Sequence, residues 1–149
     1  MHLTPVELQT WLEWAGARLI AMPGGRIKPE GPRVIWPDYS QEIFEVLDFR
    51  GNVRAKAAIP SGMEISLAEK VMLLPNVCES HITRQILHKR AQVDPITGRY
   101  RNSWSKIAAS LHCGKEAIKI RHKKGLLEVL SETPEPTFYQ LSLTFCQIL

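Results

Sequence analysis

The sequence predicts an all-α protein of five to six helices, closing on a helix-turn-helix and a short C-terminal tail. Three observations lead there. Apolar residues recur at three- and four-residue spacing along most of the chain. Two segments open on the reciprocal capping signature Ser/Thr-x-x-Glu. Most prolines and glycines fall between the periodic stretches, where they end one element and start the next.

The first helix is the clearest. In "LTPVELQTWLEWAGARLIAM", Thr4 is the N-cap, Pro5 the first helical residue and Glu7 the third. Leu8, Trp11, Leu12, Ala15 and Leu19 form one apolar stripe, and the helix stops near Met22, before Pro23-Gly24-Gly25. Trp14 lies off that stripe and is expected to be exposed or to meet a partner. The stretch 23–37 has four prolines and three glycines and reads as an ordered loop, with Val34, Ile35 and Trp36 as an apolar plug.

"DYSQEIFEVLDF" predicts a short helix with Ile43, Phe44 and Leu47 on one face, closed by Gly51. After a turn at Pro60, Ser61 and Glu64 repeat the capping signature ahead of the stripe Ile65, Ala68, Val71 and Met72. Pro75 breaks that helix. Asn76 is expected to cap the next, which runs to about Ala91 with Val77, Ile82, Ile86 and Leu87 as contacts. "DPITGRYRN" is rich in turn residues and suits a loop or short hairpin.

From Asn102 the pattern sharpens. Ser103 caps a helix in which Trp104, Ile107, Ala108 and Leu111 face inward. His112-Cys113-Gly114 makes the turn, with Gly114 expected to take a positive φ. A second helix begins at Lys115 or Glu116, with Ile118 turned inward to meet Leu111 and with Leu126, Val129 and Leu130 continuing the buried side. After Glu132 two prolines intervene. The remaining tail is apolar and β-prone, and reads as a strand-like arm, an oligomer contact or a disordered tail. The chain thus divides into a helical body (1–93), a helix-turn-helix region (94–132) and a tail (133–149).

Charge is unevenly placed along the chain. Of the 149 residues, 19 are Lys or Arg and 15 are Asp or Glu, for a net +4. From His81 to Lys124 there are eleven Lys/Arg against Asp94 and Glu116, or +9, so the rest carries −5. A basic segment on an acidic body is the footprint of a polyanion-binding surface, against the plainer reading of a solvated charged face. Helix geometry puts Lys115, Glu116, Lys119, His122 and Lys123 on the outer face, where a recognition helix meets the major groove. Arg121, Lys123 and Lys124 suit phosphate contacts, as do Ser103 and Lys106 at the start of the preceding helix and Arg99 and Arg101 in the loop before it.

Two resemblances follow from these residues. "SWSKIAASLHCGKEAIKIR" resembles the promoter-reading helix-turn-helix that closes bacterial sigma factors. Over residues 15–131, the order "ARLIAMPGGRIKPEGPRVIWPDY", "IPSGMEISLAEKVMLL", a basic helix and a terminal W-xx-IA motif resembles a family of uncharacterised phage and prophage proteins. Pro32-Arg33 replaces that family's loop tyrosine, and the loop before Asn102 is longer. Phage antiterminators of the Q type are more distantly similar. The resemblance implies a phage or prophage DNA-binding protein, which is expected to act in gene regulation in the cytoplasm of a bacterial host. Its partners would be double-stranded DNA and RNA polymerase or another phage protein, in a monomer or homo-oligomer.

Other functions are less well supported by the sequence. A small terminase-like packaging subunit joins the same motif to an oligomerising body, and a non-DNA module would turn its basic face to an acidic protein. No run of residues is apolar and long enough to span a bilayer, and no secretory signal pattern is present. Cys78 and His81 have ligand-like spacing, but the neighbours His112 and Cys113 pair poorly, so no metal or other cofactor is expected. The three cysteines, widely spaced and without a CxxC, read as reduced thiols. There is no P-loop, GxSxG, HExxH or paired-carboxylate motif, and no enzymatic activity is expected.

Overall fold

A computed structural model of the chain describes residues 3–22 and 58–148. Among these residues the protein is all-helical, with six α helices and a 3-10 turn: α1 (Pro5–Ala21), α2 (Gly62–Leu73), the 3-10 turn Leu74–Val77, α3 (His81–Ala91), α4 (Trp104–Leu111), α5 (Lys115–Glu132) and α6 (Glu135–Ile148). The expected loop 23–37, with its Trp36 plug, and the helix expected around Ile43 to Leu47 lie outside the described residues.

Local chemistry accounts for most boundaries. The Thr4 and Ser61 hydroxyls each accept from the backbone N–H three residues on, and Glu7 and Glu64 accept in return from the cap N–H. Each box satisfies two helix-end donors that otherwise have no partner, for about 1 kcal/mol. Pro75 ends α2 in the 3-10 turn, where its missing N–H is tolerated. Ser80, not Asn76, then caps α3: its hydroxyl accepts from Thr83 N–H, because the 3-10 turn takes up Asn76 and delays the next helix.

Two clusters fill the interior. In the larger one, Leu8, Leu12 and Ala15 of α1 meet Leu67, Ala68 and Val71 of α2, Leu87 and Ala91 of α3, and Leu126 and Val129 of α5. The smaller one joins Ile86 of α3, Ile107 and Ala108 of α4 and Ile118 of α5, with Trp104, Leu111 and Cys113 packed against it. α3 and α5 therefore contribute to both clusters and hold the 94–132 region against the body. Two glycines allow this closeness. A Cβ on Gly16 would lie 2.0 Å from the Ala91 carbonyl oxygen, and one on Gly125 would lie 2.5 Å from Thr83 Cγ2. The mid-helix cost of Gly is thus exchanged for direct α1–α3 and α5–α3 packing.

The C-terminal segment is neither β-like nor disordered: residues Glu135–Ile148 are α-helical. Phe138, Leu141 and Phe145 are buried and Ile148 packs beside them. That three-four-three spacing is helical and outweighs the β-prone composition once a partner surface exists. Pro136 falls in the first turn, where it costs little. The partner surface includes Trp14, which packs edge-on against Phe145 at 4.8 Å with Arg18 over its ring, so the expectation of an exposed Trp14 is corrected. Trp11 meets the same Phe145 at 4.9 Å.

Candidate nucleic-acid interface

α4 and α5 are joined by a three-residue turn. Ser103 caps α4 by accepting from Lys106 N–H, and the apolar residues Ile107 and Ala108 are buried against α3 and α5. The turn is closed by the Cys113 N–H donating to the Ala108 carbonyl. Its left-handed residue is His112, at φ 53°, not Gly114, which sits at φ −68° as the N-cap of α5. The chain reverses one residue after Leu111, so the αL position falls on His112, a residue type that enters this region more often than most. Gly114 then contributes no side-chain cap to α5.

The loop before α4 is a short hairpin pinned by its own side chains. Asp94 accepts from the N–H groups of Ile96 and Thr97, both at 2.9 Å, which holds its carboxyl below the ordinary range. Gly98 takes φ 67°, and Val93 pairs with Tyr100 in an antiparallel bridge. Arg90 locks this loop to the helices. Its guanidinium lies 3.4 Å from the Tyr100 ring centroid and 4.2 Å from that of Trp104, and Nη1 donates to the Asn102 carbonyl. Stacking of this kind is worth about 0.5–2 kcal/mol. Arg90, half-buried in this way, was not legible as a site residue.

α1 braces the same region. The Tyr100 hydroxyl donates to Glu13 Oε1, and Gln9 Oε1 hydrogen-bonds His122 Nε2 at 2.9 Å. His122 is 8% exposed, with its ring edge-on to Trp104 at 5.1 Å. It is not on the outer face. Its place four residues after Ile118 puts it on the buried stripe, and Gln9 gives its ring nitrogen a partner. Burial, reinforced by the Arg90 charge, lowers its pKa to about 4, so the imidazole is neutral near pH 7 and offers no positive charge to a ligand.

The other predicted residues are at the surface. Lys115, Glu116, Arg121, Lys123 and Lys124 of α5 are exposed, as are Ser103 and Lys106 of α4 and Arg99 and Arg101 of the hairpin. Lys119 is half-buried and pairs with Glu116 at 3.4 Å; among the described residues it is the one cation of this set with a carboxylate partner. Trp104, Glu116, Lys119, Ile120, His122 and Lys123 line an open groove of about 330 Å³. The groove runs between the start of α4 and the adjoining flank of α5. Lys106 Nζ reaches the Arg101 carbonyl at 3.5 Å, which joins the hairpin to the same surface. Ile120, not among the residues the sequence singles out, lies two residues beyond Ile118, faces outward and is 55% exposed among the cations.

The candidate metal ligands do not converge. Cys78 is buried, its thiol pointing at the Gly125 carbonyl, and burial beside Glu128 pushes its pKa up to about 11. His81 is exposed and bonds Gln85, while Cys113 turns to the Leu111 carbonyl. Cys78, Cys113 and Cys146 are free cysteines. Among the described residues no helix is long and apolar enough to cross a membrane.

Comparison of the chain with protein-family models, with curated proteins and with solved structures gives no match.

Proposed function

We propose that this chain binds double-stranded DNA through the outer face of α5 and acts in transcription control in a phage or prophage. In this reading α4 and α5 are a helix-turn-helix. α5 enters the major groove, while the start of α4 and the hairpin meet phosphates. The observation that carries the reading is the exposure of unpaired cations on the hairpin, α4 and α5. Arg99, Arg101 and Lys106 adjoin α4, and the groove beside Trp104 leads directly to Lys119 and Lys123. Seven exposed cations of the hairpin, α4 and α5, namely Arg99, Arg101, Lys106, Lys115, Arg121, Lys123 and Lys124, have no carboxylate partner among the described residues.

The sigma-like spacing from Trp104 to Ile118 favours transcription, with RNA polymerase or another phage protein as partner of the helical body. Packaging is the second reading, favoured by the exposed Tyr139 and Leu143 on α6, which would suit subunit contacts. Native mass separates the two: a ring of eight or more copies supports packaging, and a monomer or dimer supports transcription. Selection of bound sequences from random duplexes tests the common premise. A single enriched motif is expected, and recovery of no motif above the starting pool refutes sequence-specific binding.

A further inference from the structure

Glu116 is the one acid between Asp94 and Glu128, in a stretch otherwise rich in cations. Its side chain is 80% exposed at the mouth of the groove, and it meets Lys119 Nζ at 3.4 Å. A carboxylate repels phosphate, so this point on the surface is unsuited to the DNA backbone. It is suited to a hydrogen-bond donor, because an ionised carboxylate only accepts. Beside it, the Lys119 ammonium only donates.

We infer that Glu116 and Lys119 together read one C·G base pair in the major groove. The inference rests on the DNA-binding reading above. The edge of a C·G pair offers the cytosine N4 amino donor next to the guanine O6 and N7 acceptors. Glu116 accepts from N4, and Lys119 donates to O6 and N7. An A·T pair fits worse. Its adenine N6 donor lies between two acceptors, N7 and the thymine O4, so the second carboxylate oxygen would face a lone pair. Cytosine N4 is flanked on its outer side by a C–H. Ile120, exposed next to this pair, meets the neighbouring base and favours a thymine methyl there.

The salt bridge has a plainer role to compete with. An acid in the first turn of α5 complements the helix dipole, and a Glu–Lys pair three residues apart adds a little helix stability. Neither role alters base preference, and the test uses that difference. The site recovered from random duplexes is remade with each base pair replaced in turn, and affinities are measured for the wild type and for Glu116→Gln. Circular dichroism and thermal melting check that the variant is folded.

The wild type is expected to lose roughly ten- to hundredfold in affinity when one particular C·G pair is replaced. Glu116→Gln should lose that preference, or shift it toward A·T, while every other position keeps its wild-type profile. If Glu116→Gln retains the preference at every position, or weakens all sequences equally, the pairing with C·G is overturned and the DNA-binding reading stands. If the wild type selects no sequence, the pairing with C·G is overturned, while DNA binding by this surface stands or falls separately on the salt dependence of duplex affinity.

Discussion

Stability between pH 7 and pH 4.5 should depend on His122. The imidazole is buried among Gln9, Trp104 and Arg90, with its pKa lowered to about 4 by burial and by the Arg90 charge. The unfolded chain takes up this proton near 6.5, whereas the folded chain does not until about 4. Between these values the unfolded state binds more protons, so falling pH favours unfolding. The stabilisation is complete above about pH 7 and is lost progressively down to about pH 4. At 1.36 kcal/mol per pH unit the gap amounts to about 3 kcal/mol, a large share of a typical folding free energy. His88, its pKa also lowered by burial, adds a slope of the same sign. The carboxylates of Glu7, Glu64 and Asp94, held low by backbone N–H groups, act in a more acidic window, below their unfolded values. Urea unfolding at half-unit pH steps from 7.5 to 4.5 measures the slope. His122→Gln, which keeps a polar partner for Gln9, should remove most of it. The reasoning is refuted if the variant shows the wild-type slope, or if NMR titration puts the His122 pKa at 6 or above.

Three further predictions concern packing and backbone. Gly16→Ala would set a Cβ 2.0 Å from the Ala91 carbonyl, backbone that cannot rotate away. It should destabilise by about 2 kcal/mol in urea unfolding even after the gain of up to about 1 kcal/mol in helix propensity, and a stabilised variant would contradict the close α1–α3 approach. Phe145→Ala removes the ring that covers Trp11 and Trp14 and should cost about 3 kcal/mol, whereas an unpacked C-terminal arm would give a change near zero. His112→Gly relieves a left-handed backbone at φ 53° and should raise the melting temperature by about 3 °C; a lowered value would argue against strain at this turn.

The capped helices were legible in the sequence because their information is local. Thr4 with Glu7, Ser61 with Glu64, and Ser103 each satisfy donors within four residues, and the structure forms all three caps. Ile107, Ala108 and Ile118 were legible for the same reason, since one helical period sets their common side. The errors lie where distant partners decide. His122 looks like an outward cation until Gln9, 113 residues away, supplies its hydrogen bond. The C-terminal helix looks β-prone until Trp11 and Trp14 offer it a surface. Arg90 gives no sign in sequence of its stacking between Tyr100 and Trp104, because both rings reach it only after the hairpin folds back. At the turn, the glycine rule failed because the left-handed residue is set by where α4 ends, not by where a glycine stands.

DNA binding through the basic surface is tested most directly by the salt dependence of duplex affinity. If about five of the exposed cations touch phosphates, log affinity should fall with log salt at a slope near −4 to −5, or several hundredfold between 50 and 200 mM. Replacing Lys123 and Lys124 together by Ala should make the slope shallower by about 2 while the fold is retained. An affinity indifferent to salt, or a double variant with the wild-type slope, would contradict the assignment of this surface to DNA.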